Sequence, residues 1–254
     1  MSRPAVLHRR NAAETLGAGL LVTAVVGSGI MAASLTDDTG LALLINALAT
    51  VAALGVLIWT LGPISGAHFN PAVTLVAALR REMPASEAGG YVAAQLVGAT
   101  LGVALANLMF DLPPWQISRT ERMGAGLWLG EVVATAGLVW VIGALTRTGR
   151  GHLGPLLVPA WIGAAYFLTS STSFANPAVT WGRLFTDTFT GISPASAVPF
   201  VLAQLVGAAV GAGLTELFHP RPGVVPEPLD LPDPVHHPDH DQPGSDHVDG
   251  TGSP

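Results

Sequence analysis

Apolar residues fall into six runs, at about 12–35, 41–62, 88–110, 124–146, 154–170 and 195–218, separated by short polar segments. A hydrocarbon core about 30 Å thick calls for about 20 residues per helix, with about 17 as the lower limit, so each run predicts one spanning helix. The fifth is the shortest. Two further apolar stretches start at Asn70 and Asn176 and fade near Leu79 and Phe185, too soon to span. They predict half-helices on re-entrant loops, because irregular backbone at membrane depth survives only where protein buries it or a watery cavity wets it.

Both short stretches open on the same word, Asn-Pro-Ala-Val-Thr, at 70–74 and 176–180. Asn70 and Asn176 suit the N-cap, and Pro71 and Pro177 suit the first helical position, where no N–H is needed. Ala72 and Ala178 continue the turn. Each capped start points unpaired N–H groups and the positive end of a helix dipole at whatever lies in front of it.

The halves match elsewhere too. Glu14-Thr-Leu-Gly-Ala-Gly-Leu-Leu-Val parallels Glu131-Val-Val-Ala-Thr-Ala-Gly-Leu-Val, and Ala-Gln-Leu-Val-Gly-Ala recurs at 94–99 and 203–208. The pairs Gly98/Gly102 and Gly207/Gly211 allow close helix approach, within one subunit or between subunits. Three spans per half is an odd number, so the second half enters the membrane inverted. The predicted fold is an all-α membrane protein of six transmembrane helices and two re-entrant half-helices, in inverted repeats 12–110 and 123–217.

Composition agrees with a membrane protein. Only 11% of residues are charged, where a soluble domain carries about 25%. Cysteine is absent, which removes disulfides and thiolate chemistry, and no basic surface suggests nucleic acid. With the N-terminus inside, Arg3, Arg9, Arg10, Arg80, Arg81, Arg147, Arg150 and Arg221 face the cytoplasm and Arg119, Arg122 and Arg183 face out. This asymmetry predicts a multi-pass inner (plasma) membrane protein with both termini cytoplasmic. A signal peptide is disfavoured, because the first apolar run is too long for one and its Glu14 has a counterpart in Glu131.

Residues 1–11 read as a polar cytoplasmic start, and 218–254 as a disordered acidic, His- and Pro-rich tail. His236, His237, His240 and His247 among Asp239, Asp241 and Asp246 suit weak metal binding, but a solvated tail is the preferred reading. No metal site or cofactor is expected in the channel domain.

The paired Asn-Pro-Ala motifs, Ser-Gly-Ala-His-Phe before the first, and the matched glutamates make residues 12–217 resemble the aquaporin and glycerol-facilitator family. The resemblance implies a passive channel for small neutral solutes and water, homotetrameric in membrane lipid, without catalysis. It implies that Asn70 and Asn176 donate hydrogen bonds to solute, and that carbonyls of Gly66, Ala67, His68, Thr172, Ser173 and Phe174 form an acceptor ladder. Glu14 and Glu131 would hold the re-entrant loops, and His68 would bond the loop or line the inner pore.

The family's outer constriction, counted back from the motifs without gaps, falls on Thr50, Ala164, Ser173 and Val179. In water-selective members the last position is Arg. The resemblance therefore implies a wide filter lacking Arg, suited to polyols or to neutral arsenite, as in the arsenic-resistance-associated branch. Arg183, four residues on, reads as a vestibule or loop-anchoring residue. Alternatives are a strict water channel, a secondary transporter using Glu14 and Glu131 as intramembrane acids, and an enzyme. The core offers no catalytic set for the last.

Overall fold

The protein is described here from a computed structural model covering residues 3–221; residues 222–254 of the tail, with its candidate metal ligands, lie outside the described residues. The helices are α1 (Arg3–Leu35), α2 (Thr39–Ser65), α3 (Pro71–Leu79), α4 (Ala85–Met109), α5 (Ala125–Arg147), α6 (Gly154–Leu168), α7 (Pro177–Arg183) and α8 (Pro194–Phe218). Among the described residues six helical segments are long and apolar enough to cross a membrane. The predicted architecture, two spans, a half-helix and a span, is thus written twice.

Local chemistry sets the boundaries. Asp38 caps α2 by accepting from Leu41 N at 2.8 Å, and Gly66, at φ 90°, ends it in the left-handed conformation that glycine adopts without strain. Ser193 caps α8. Helix α1 begins at Arg3, so the polar residues 3–11 are continuous with the first span. Arg10 Nη1 meets Glu87 Oε2 in the first turn of α4 at 2.6 Å, which gives that extra turn a partner.

The glycine pairs act within the chain. Helix α4 packs on α1 and α8 packs on α5. A Cβ at Gly98 would run into the carbonyl of Thr15 and one at Gly102 into that of Gly19; Gly207 and Gly211 abut the carbonyls of Val132 and Ala136 in the same manner. In lipid, where apolar burial gives no net drive, such backbone approach is a main source of helix association. Large apolar side chains such as Leu48, Trp59, Leu101, Leu129 and Leu202 are exposed on the outer faces.

Candidate pore

Each half-helix begins at a chain reversal with the same backbone. Thr172, Ser173 and Ala175 take φ of 61°, 51° and 47°, and Gly66, Ala67 and Phe69 take 90°, 51° and 48° at the matching positions. Left-handed backbone costs a non-glycine residue of order 1–3 kcal/mol, and it persists only where surroundings over-determine it. Here those surroundings are two buried carboxylates. Glu14 accepts from His68 N at 3.0 Å and Phe69 N at 2.7 Å, and Glu131 accepts from Phe174 N and Ala175 N, both at 2.9 Å. Both glutamates are fully buried.

A third member of each set is a glutamine. Gln95 Nε2 donates to Glu14 Oε2 at 2.8 Å and to Thr74 Oγ1 at 2.9 Å. Gln204 Nε2 donates to Glu131 Oε2 at 2.6 Å and to Thr180 Oγ1 at 2.8 Å. Residue-by-residue reading overlooked these two, although the repeated Ala-Gln-Leu-Val-Gly-Ala word carries a polar residue at the same place in two apolar spans. Span, loop and half-helix are tied through one amide.

The two loops are also tied to each other. Asn70 Oδ1 caps its own helix by accepting from Ala72 N, while its Nδ2 donates to Ala175 O in the other loop at 2.8 Å. Asn176 Oδ1 accepts from Ala178 N, and its Nδ2 donates to Phe69 O at 2.9 Å. A side-chain amide has two N–H donors, so each asparagine keeps a second one.

Beside them runs a cavity of about 330 Å³. At one end its wall includes Arg80 and Thr146, and at the other Thr50, Tyr166 and Arg183. Gly66, Ala67, His68, Ser173 and Phe174 line it, as do Asn70, Asn176 and Val179; Thr172 does not. His68 lines the cavity, and its Nδ1 lies 3.1 Å from Thr74 Oγ1 in α3.

Position 164 is a correction. Ala164 is exposed on the outer face of α6 and takes no part in the cavity wall, to which α6 contributes Val158, Ile162 and Tyr166. The Tyr166 hydroxyl donates to Thr50 Oγ1 at 3.1 Å, bridging α6 and α2. Helix α6 turns Tyr166, and not Ala164, toward the cavity. The residue facing Thr50 lies two positions later, and it is an aromatic hydroxyl in place of a methyl group.

Around this end stand two guanidiniums. Arg183 is 4% exposed, its carbon Cζ lies 3.4 Å from the centroid of the Phe174 ring, and its Nε donates to Thr190 O. Arg122 lies 5.3 Å from the same centroid and donates to Gly191 O and Phe189 O.

With that geometry in place, comparison with known proteins decides the family. The family model described as Major intrinsic protein matches residues 1–175. The chain belongs to the major intrinsic protein family. Aquaglyceroporin AqpS of Rhizobium meliloti (strain 1021) is 54% identical over 208 residues, 82% of this chain and 89% of that one. Nodulin-26 of Glycine max is 32% identical over 166 residues, which are 63% of this chain and 59% of that relative. The X-ray structure of the aquaglyceroporin from Plasmodium falciparum aligns with a TM-score of 0.62 at 20% identity, covering 84% of this chain and 96% of that chain, a likeness of fold alone. In this major intrinsic protein the family-model match stops one residue before Asn176. The second loop completes the pattern through the contacts of Glu131, Gln204 and Asn176.

Proposed function

We propose that this channel passes small uncharged hydroxylated solutes, polyols or a neutral metalloid hydroxide such as arsenite, passively and with some water. The observation that carries the reading is the pair Asn70 and Asn176, cross-bonded and facing one cavity whose far end combines three hydroxyls, of Thr50, Tyr166 and Ser173, with the apolar Val179. A solute entering a narrow pore sheds water, and fixed donors and acceptors must replace the hydrogen bonds it loses. In this reading the asparagine amides are the donors and the carbonyls of Gly66, Ala67, His68, Ser173 and Phe174 are the acceptors. A polyol, with hydroxyls on one side and carbon on the other, suits a constriction that is half hydroxylated and half apolar.

The two half-helix starts aim the positive ends of their dipoles at the centre, which opposes cations and interrupts a proton-conducting water chain. Glu14 and Glu131 are structural here: their oxygens are taken up by backbone N–H groups and glutamines. The arginine asymmetry supports an inner-membrane protein with both termini cytoplasmic. Assembly as a homotetramer with one pore per subunit goes with this reading, the exposed apolar faces meeting lipid and neighbouring subunits.

Stopped-flow light scattering on reconstituted vesicles tests it. Entry of glycerol and of arsenite at pH 7 well above that of protein-free vesicles, non-saturating and indifferent to dissipation of a proton gradient, is the expected outcome. Fast water flux with both solutes excluded replaces this reading with a strict water channel. Saturating, gradient-dependent uptake replaces it with a transporter.

A further inference from the structure

Position 179, directly after the second Asn-Pro-Ala, is valine, yet a guanidinium still faces the constriction. We infer that Arg183 is the charged, specificity-determining residue of the outer constriction, reaching back one turn to the level that Val179 leaves without charge; this rests on the channel reading above.

Side chains on a helix lean toward its N-terminus, so a residue covers the turn before its own Cα. One turn is about 5.4 Å, a distance an arginine side chain covers. Arg183 follows this rule: it closes α7, yet its guanidinium lies 3.4 Å from the centroid of Phe174, in the loop that precedes α7. It is therefore turned inward and back, toward Ser173 and the cavity, which it lines together with Thr50, Tyr166 and Val179.

Arg183 Nε donates to Thr190 O, and Phe174 supplies a flat face, so the group is held at one end and on one side. Among the described residues its terminal nitrogens have no protein acceptor, and no carboxylate pairs with Arg183 or Arg122. A buried guanidinium normally has its five donors and its charge answered. This one is left to answer a solute oxygen.

Ser173 Oγ, also in the wall, is buried without a partner. Arg122, outside the cavity wall, shares the Phe174 ring with Arg183, so a second positive charge stands behind the one that lines the pore. A fixed positive charge at a constriction repels a cation, whereas a neutral hydroxylated solute gains hydrogen bonds from it.

The test measures methylammonium uptake at pH 6 against glycerol entry in reconstituted vesicles, at equal amounts of inserted protein. In the parent, glycerol enters and methylammonium is excluded. Arg183→Met raises the methylammonium-to-glycerol ratio at least tenfold, and Arg183→Lys, which keeps the charge but not the stack, holds it within about threefold of the parent. An inserted Arg183→Met with a ratio within twofold of the parent overturns the inference. Should Arg183→Met fail to insert, the exchange V179R/R183V decides: a relocated guanidinium leaves glycerol relative to water within about threefold of the parent. A tenfold drop in that exchange means that a charge was added to a filter that had none, and overturns it. A parent that admits neither glycerol nor arsenite sinks the reading of a channel for hydroxylated solutes, an outcome distinct from flux that persists with the ratio unmoved.

Discussion

Glu14 and Gln95, on different spans, meet at 2.8 Å, and Glu131 and Gln204 repeat the contact at 2.6 Å in the other half. Each carboxylate also accepts two loop N–H groups, so a single buried charge fixes a span, a strained loop and, through glutamine, a half-helix.

Replacing either carboxylate by its amide removes the charge and turns one acceptor into a donor that faces N–H groups. Hydrogen bonds to charged groups contribute about 1.5–3 kcal/mol each, so Glu14→Gln and Glu131→Gln are each expected to cost about 2 kcal/mol or more. The check is the amount of inserted protein and its thermal midpoint in detergent. Normal amounts with a changed proton dependence of flux contradict the structural role.

The orientation of α6 around Tyr166 makes a sharp comparison. Tyr166→Ala removes the ring that bridges to Thr50 and raises glycerol entry several-fold relative to water. Ala164→Leu, on the exposed face of α6, leaves the ratio unchanged. Stopped-flow measurement of both variants separates them; the reverse pattern restores Ala164 to the constriction.

Glycines with identical chemistry differ by place. Gly102→Leu drives a side chain into the carbonyl of Gly19 and Gly211→Leu into that of Ala136, and both should abolish folded protein. Gly89 has open space around its Cβ direction. Gly89→Ala is therefore neutral or stabilising by about 0.5–1 kcal/mol through helix propensity. Size-exclusion profiles and thermal melts of the purified variants tell the two classes apart.

Outside the membrane segments, Asp187 is held below the ordinary carboxylate range by the backbone N–H of Arg119 and then by its guanidinium, whose Nε lies at 2.9 Å. A lowered folded-state pKa means that its contribution is complete above the ordinary value of about 3.9 and fades as pH falls through the lowered one. Limited proteolysis of the 111–124 segment should thus be flat from pH 7 to about 5 and rise only in stronger acid. Asp187→Asn should show the raised cleavage already at pH 7.

By itself the sequence determined the number of spans, their inversion and the two capped half-helices. Those follow from run length, an odd span count and the Asn-Pro-Ala word, all of which are local or periodic. It also marked Glu14 and Glu131, because a charge in an apolar run has no bland explanation when it occurs twice. Only the tertiary structure decided which residues share the outer end of the cavity. Ala164 gave way to Tyr166 because a pore wall is set by rotation about the helix axis, which counting from a motif does not record. Only the structure decided, too, that Arg183 turns back over Phe174 while Val179 stands at the expected position. The physical reason is reach: a motif reports where a Cα lies, whereas a long side chain delivers its charge a full turn away.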